Sequence, residues 1–210
     1  MLALGRHSGK PALFGPSADV MLVRLAREAR MPMVDYRLAT ADDASAIGAV
    51  HVASWRDTYA GLFPQELLDG LSAESRAAMW AMALDAPACS NGTRVYVAES
   101  TGEIVGFGAC GGQRDDAMRE RGFAGEIGAI YVLRSHQGAG VGRALMSLMA
   151  RDLLARPLPG ASLWVLRENV GARRFYESLG GAITADKEVV EADANFHEIA
   201  YGWPDLMHLS

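Results

Sequence analysis

Apolar and polar residues alternate over 34–38, where Val34, Tyr36 and Leu38 share one side of an extended chain, and this period of two predicts a first strand. The period then lengthens. Thr40, with Asp43 three residues on, is a helix-start signature, and Ile47, Val50, Trp55 and Tyr59 recur at helical spacing until Gly61. A second helical region is entered at Pro64 and renewed at Ser72. It presents Leu67, Leu68, Leu71, Met79, Trp80 and Leu84 before Pro87 and Asn91-Gly92 break it. Residues 94–100 and 103–110 return to strand character around Thr101-Gly102, a two-residue link with the chemistry of a tight antiparallel hairpin. The polar, charged stretch 111–125 reads as a mobile loop, and 126–132 as a mostly buried strand. A helix follows with Val141, Leu145, Leu148 and Met149 on one face, stopped by Pro157, Pro159 and Gly160. Residues 161–167 form a further strand. Asn169 then caps a helix carrying Ala172, Phe175, Tyr176 and Leu179, and Gly180 ends it. Strands over 182–190 and 196–203 close the chain.

This order predicts an α/β (mixed α+β) fold with one sheet and helices on both faces. The strand-helix-strand unit over 126–167 must pair in parallel, whereas the hairpins must be antiparallel. With 210 residues, half of them apolar, the chain suffices for one sizeable core and not for several domains. The first 33 residues carry a net charge of +3 against −8 for the remainder, which sets them apart. Residues 1–33 therefore read as an N-terminal extension, either an overlong start, a flexible arm or a short helix over 20–30, ahead of a single domain spanning 34–210.

The net charge of −5 lacks the basic field of a dedicated nucleic-acid binder. No apolar run is long enough to span a bilayer, so no membrane partner is expected. Two cysteines, Cys89 and Cys110, make neither a disulfide framework nor a zinc site. The expectation is a cytoplasmic protein without metal.

The chemistry concentrates in Gln137-Gly138-Ala139-Gly140-Val141-Gly142-Arg143, between a strand and an amphipathic helix. Alternating glycines let the backbone approach a ligand, and free amides at a helix start suit phosphate or pyrophosphate. The bland alternative is a turn that only packs helix on strand. A mononucleotide loop is excluded, because Gly142 is followed by Arg143 and Ala144 where Lys and Ser/Thr are required. The dinucleotide fingerprint is weakened by Arg143 at its third glycine position, although Glu168 ends the next strand where a ribose ligand is expected.

Gln137, Gly140 and Gly142 resemble the Gln/Arg-x-x-Gly-x-Gly/Ala signature of the GNAT superfamily of N-acetyltransferases. The strand with Glu126, Ile127, Ile130, Tyr131 and Val132 is similar to the one that precedes it there. Asn169, Ala172, Phe175, Tyr176 and Gly180 match a second family pattern, and the resemblance runs from Val34 to about Trp203. Gly181 departs from it, standing where the family has an aromatic or large apolar residue.

The resemblance implies a splayed sheet of six to seven strands and acetyl coenzyme A as co-substrate. The cofactor would be held by Ile130, Tyr131, Val132, Gln137, Gly138, Ala139, Gly140, Val141, Gly142, Arg143, Asn169, Ala172 and Tyr176. It implies Glu126 as general base, with Asp115 and Asp116 as weaker candidates, and Tyr176 as general acid. Tyr176 could equally be a core aromatic, and Glu126 a salt-bridged strand-end carboxylate. Trp55, Tyr59 and Phe63, near Arg56, would border the acceptor, a primary amine or peptide amino group; the acidic domain favours a cationic one. His51 reads as a core or surface histidine. Neither cysteine lies in a nucleophile motif, so direct attack in a ternary complex is expected rather than an acyl-enzyme. A non-catalytic acyl-CoA sensor is the alternative, and a homodimer is allowed by the resemblance.

Overall fold

The structure, a computed structural model, describes residues 33–85, 91–191 and 194–210. The proposed N-terminal extension up to residue 32, Pro87 and Cys89 lie outside the described residues. Seven strands form one sheet in the order β1-β2-β3-β4-β5-β7-β6: β1 (Val34–Leu38), β2 (Arg94–Ser100), β3 (Glu103–Gly112), β4 (Gly125–Val132), β5 (Ala161–Leu166), β6 (Ala182–Glu191) and β7 (Ala194–Trp203). Only β4 and β5 run parallel, as the connection through a helix requires. The helices are α1 (Ala44–Tyr59), α2 (Gln65–Asp69), α3 (Ala73–Asp85), α4 (Asp116–Glu120), α5 (Val141–Ala155) and α6 (Val170–Ser178).

The hairpin between β2 and β3 turns through Thr101 at φ 52° and Gly102 at φ 83°. Two successive left-handed residues are what the twist of the flanking strands demands. One face of the sheet packs Val95, Val97, Phe107 and Ala109 against Ile47 and Val50 of α1 and Trp80 of α3. The other buries Ile127, Leu163 and Tyr201 beneath Met146, Met149 and Leu153 of α5 and Tyr176 of α6. Helices thus cover both faces, and no described helix is long and apolar enough to cross a membrane.

Two expectations change. The segment 111–125 contains a helix: the Asp115 carboxylate accepts hydrogen bonds from the amides of Ala117 and Met118 and caps α4, while Met118 is buried. At Gly181, a Cβ would stand 2.6 Å from the Trp203 ring. Trp203 is fully buried and donates to the Leu179 carbonyl at 2.9 Å, so a side chain from β7 fills the space that a side chain at Gly181 would need.

Candidate active site

The sheet forks at its centre. β4 and β5 pair only at Gly125 with Ala161 and Glu126 with Ser162. That closed end is tied by Gln113, whose buried side-chain amide donates to the Ser162 hydroxyl at 2.8 Å and to the Gly125 carbonyl at 3.1 Å. Immediately afterwards the β3–β4 register shifts, pairing Cys110 with Ile127 and Ala109 with Ala129, so Gly128 is the extra residue of a bulge. A bulge bends its strand, and glycine removes the side chain that would fill the bend. Beyond it, β4 has no strand partner on the β5 side. The result is a cleft of about 700 Å³, with Ile127–Val132 on one lip and Leu163–Val165 on the other.

The glycine turn closes one end. Gly138 (φ 73°) and Gly140 (φ 88°) are left-handed, and a Cβ on either would meet nothing within 4 Å, so their outer sides are open. Gly140 caps α5 and has no side chain to accept the first amides, which are left for a ligand. Gly142 serves a close approach, because its Cβ would lie 3.1 Å from Cζ of Phe175 on α6. Gln137 pins the turn by donating to the Val132 carbonyl at 3.0 Å. Gln137, Gly138, Gly140, Gly142 and Arg143 line the cleft, as does Arg134, which the sequence reading missed. Ala139 and Val141 instead pack inward against Ile130 and Val132 with Leu145.

On the opposite lip, Asn169 Oδ1 accepts from the Ala172 amide at 3.1 Å, leaving the side-chain NH2 free of hydrogen bonds with described residues. Asn169, Ala172 and Tyr176 line the cleft beside Ile130, Tyr131 and Val132. Tyr176 is 6% exposed, packed on Tyr201 and Trp203. Burial, reinforced by the nearby Tyr131 and Tyr59 phenols, pushes its hydroxyl pKa well above the usual range. The ring is thus a core aromatic that also lines the cleft.

Glu126 is placed differently. Its carboxylate accepts from the Arg114 backbone amide at 3.0 Å and from Nε and Nη2 of the Arg114 guanidinium, at 3.0 Å and 2.5 Å, and it does not line the cleft. Asp115 is occupied by the cap of α4 and by the Trp164 indole at 3.2 Å, and Asp116 pairs with Arg119.

Of the three aromatic residues expected near the acceptor, Tyr59 lines the cleft. Trp55 stands behind it and donates to the Tyr131 hydroxyl at 2.9 Å. Phe63 is buried and stacks on Phe196 of β7 at 4.4 Å, outside the cleft lining. Arg56 holds the carbonyls of Leu68 and Leu71, fixing α2 to α1. Ser54, Asp57 and Thr58 also line the cleft and were missed. Their signal was a polar stripe at spacings of three and four on an otherwise core-facing helix.

His51 belongs to this wall. Its Nδ1 accepts from the Trp80 indole at 3.1 Å, and its ring stacks on Tyr131 at 4.8 Å. Burial, with the Arg76 charge adding to it, lowers its pKa to about 4. The folded protein therefore binds this proton less readily than the unfolded chain, and stability falls as pH drops from the ordinary histidine value of about 6.5. The loss should reach up to about 3 kcal/mol by pH 4, from the 1.36 kcal/mol carried by each pKa unit. Urea unfolding across that range checks this: His51→Gln should flatten the slope, and an unchanged slope would exclude His51 as its source.

Residues 51–181 match the sequence pattern of the Acetyltransferase (GNAT) family. The chain is 32% identical over 179 residues to the uncharacterized N-acetyltransferase YuaI of Bacillus subtilis, covering 84% of this chain and 96% of that one. In fold it is similar to the PaiA N-acetyltransferase of Thermoplasma acidophilum in complex with coenzyme A, with a TM-score of 0.63, 15% identity, and 80% and 98% of the two chains covered. A second likeness is to YncA of Salmonella typhimurium, a putative acetyltransferase with its cofactor acetyl-CoA, at a TM-score of 0.62 and 22% identity over 83% and 94% of the chains.

Proposed function

Because the chain belongs to the acetyltransferase (GNAT) family and is an acyl-transferring enzyme, we propose that it moves an acetyl group from acetyl coenzyme A to a primary amine by direct attack within a ternary complex. The observation that carries this reading is the meeting of two features: a fork in the sheet and, at its mouth, an α5 N-terminus capped by glycine. The open outer sides of Gly138 and Gly140 fit a pyrophosphate on the first amides of α5, with Arg134 and Arg143 beside it. The unladdered edge of β4 and the free Asn169 amide fit a chain of peptide-like groups lying in the fork.

Acetyl coenzyme A supplies the acyl group as a thioester. The chain's own groups then have two tasks. Backbone amides on the β5 side of β4, which has no strand partner beyond the Gly128 bulge, offer donors for the charge that gathers on the acyl oxygen, a contribution typically worth about 3 kcal/mol. Tyr176, kept protonated by its burial, donates to the leaving sulfur. The acceptor ammonium first gives one proton to solvent; the nitrogen–carbon bond then forms as the carbon–sulfur bond breaks, and the second proton shed by nitrogen balances the one that Tyr176 gives to sulfur. The buried thiol of Cys110, whose pKa is raised to about 12 by burial and the neighbouring Asp152 carboxylate, is unsuited to form an acyl-enzyme.

The test is thiol release when the full chain is mixed with acetyl coenzyme A and an amine panel, alongside calorimetry with coenzyme A. Binding together with amine-dependent release is expected. Tight binding with no release on a broad panel would turn the reading to an acyl-CoA sensor, and no binding would overturn it.

A further inference from the structure

We propose that Asp57, at the rim of the cleft, holds a second and non-reacting positive charge of the acceptor. The acceptor class is then a primary amine that carries a further cationic group, as a diamine does. This rests on the acetyl-transfer reading and names the acceptors that such a site takes.

The ends of the cleft differ in charge. Arg134 and Arg143 stand by the glycine turn, whereas Asp57, near the C-terminal end of α1, is the one carboxylate among the lining residues. It is exposed and forms no ion pair or side-chain hydrogen bond with any described residue. The acidic side chains on the neighbouring elements are engaged: Glu126 by Arg114, Asp115 by Trp164 and the amides of α4, and Asp116 by Arg119. Arg56 of α1 and Arg76 of α3 are also occupied, the first by the carbonyls of Leu68 and Leu71 and the second over the Trp55 ring.

A second, independent feature lies one turn earlier on the same helix. Ser54 is 4% exposed and lines the cleft, and its hydroxyl has no hydrogen-bond partner among the described residues. An unmatched buried hydroxyl is costly, and a ligand that supplies the partner accounts for its retention. Ser54 and Asp57 thus form an inner neutral contact and an outer charged one at a spacing of three residues.

That order decides which nitrogen each receives. A carboxylate beside an ammonium favours its charged form and so opposes the proton loss that attack requires. The reacting nitrogen is therefore better served by the neutral Ser54 hydroxyl, and the charge of Asp57 by a cation that stays protonated at the rim.

The experiment uses the full chain with coenzyme A and two probes of equal length, 1,4-diaminobutane and butylamine. Calorimetry measures binding to the coenzyme A complex, and thiol release measures KM and kcat with acetyl coenzyme A. The diamine should bind and react with a KM lower by about two- to fivefold, the range of an exposed ion pair, and the preference should shrink as salt is raised. Asp57→Asn should erase the preference by raising KM for the diamine alone, with kcat little changed. Ser54→Ala should weaken both amines while leaving the melting temperature equal or higher, which a merely structural serine would not do. Transfer without preference, or a preference that survives Asp57→Asn, overturns the proposal and leaves the acetyl-transfer reading intact. Diamine binding that depends on Asp57 without thiol release supports the proposal and sinks the transfer reading. Binding of neither amine overturns the proposal.

Discussion

Gly140→Val abolishes coenzyme A binding, with affinity falling by about a hundredfold or more in calorimetry while the protein stays folded, its melting temperature lowered by a few degrees. Two effects act together. Gly140 sits at φ 88°, a conformation that costs a β-branched residue about 1–3 kcal/mol, so the first turn of α5 must distort or carry that strain. The added side chain also projects into space with nothing within 4 Å, the side from which an anion would reach the amides of Val141, Gly142 and Arg143. A loss of about 2.7 kcal/mol is already a hundredfold. The fold should survive, since α5 is held by Met146, Met149 and Leu153 in a core cluster that includes neither Ala139 nor Val141 of this turn. Gly142→Val provides the contrast. There the new Cβ meets Phe175 at 3.1 Å, so thermal stability should fall as well as affinity. Coenzyme A binding by Gly140→Val with wild-type affinity would remove the anion-cradle assignment.

The contrast between those two glycines shows what the sequence makes legible. Left-handed turns and helix starts are decided within a few residues, so the Gly138 to Gly142 turn, the Thr101-Gly102 hairpin and the Asn169 cap could be read directly. The mixed sheet followed from element order, and its seven strands match the expected six to seven. What stayed hidden depends on partners distant along the chain. Glu126 reads equally as a base or a salt-bridged strand-end carboxylate until Arg114, twelve positions earlier and across a reversal of the chain, folds onto it. Phe63 looks like an acceptor aromatic until Phe196 arrives from the last strand. Gly128 carried a local signal, since an isolated glycine within a strand marks a bulge, and the fork of the sheet begins there. Helix α4 also had one, in the Asp115 cap, which the charged composition of 111–125 obscured. Ser54 and Asp57 were read past because their helix is otherwise a core helix, and only the opening of the sheet opposite them turns that stripe into a wall of the cleft.

Tyr176→Phe lowers kcat by about a hundredfold to ten-thousandfold, the range of general acid catalysis, and leaves coenzyme A affinity and thermal stability near those of the unaltered chain. The stability half follows from packing. Phenylalanine keeps the ring contacts with Tyr201 at 5.8 Å and Trp203 at 6.1 Å, and the lost hydroxyl has no hydrogen-bond partner among the described residues that would be orphaned. The turnover half follows from protonation. Burial, with the Tyr131 and Tyr59 phenols close by, holds the Tyr176 proton above the ordinary phenol value of about 10. The donor is therefore loaded throughout neutral pH, and the wild-type rate should show no falling limb from this group below pH 10. In the variant the sulfur departs as a thiolate without a proton, so acceptors should lose kcat in common whatever their charge. That separates Tyr176 from Asp57, whose replacement acts on KM and only for acceptors with a second cation. Wild-type turnover by Tyr176→Phe would return Tyr176 to the core as one more aromatic ring and leave proton delivery to Tyr131, whose hydroxyl already accepts the Trp55 indole and has its own proton to give.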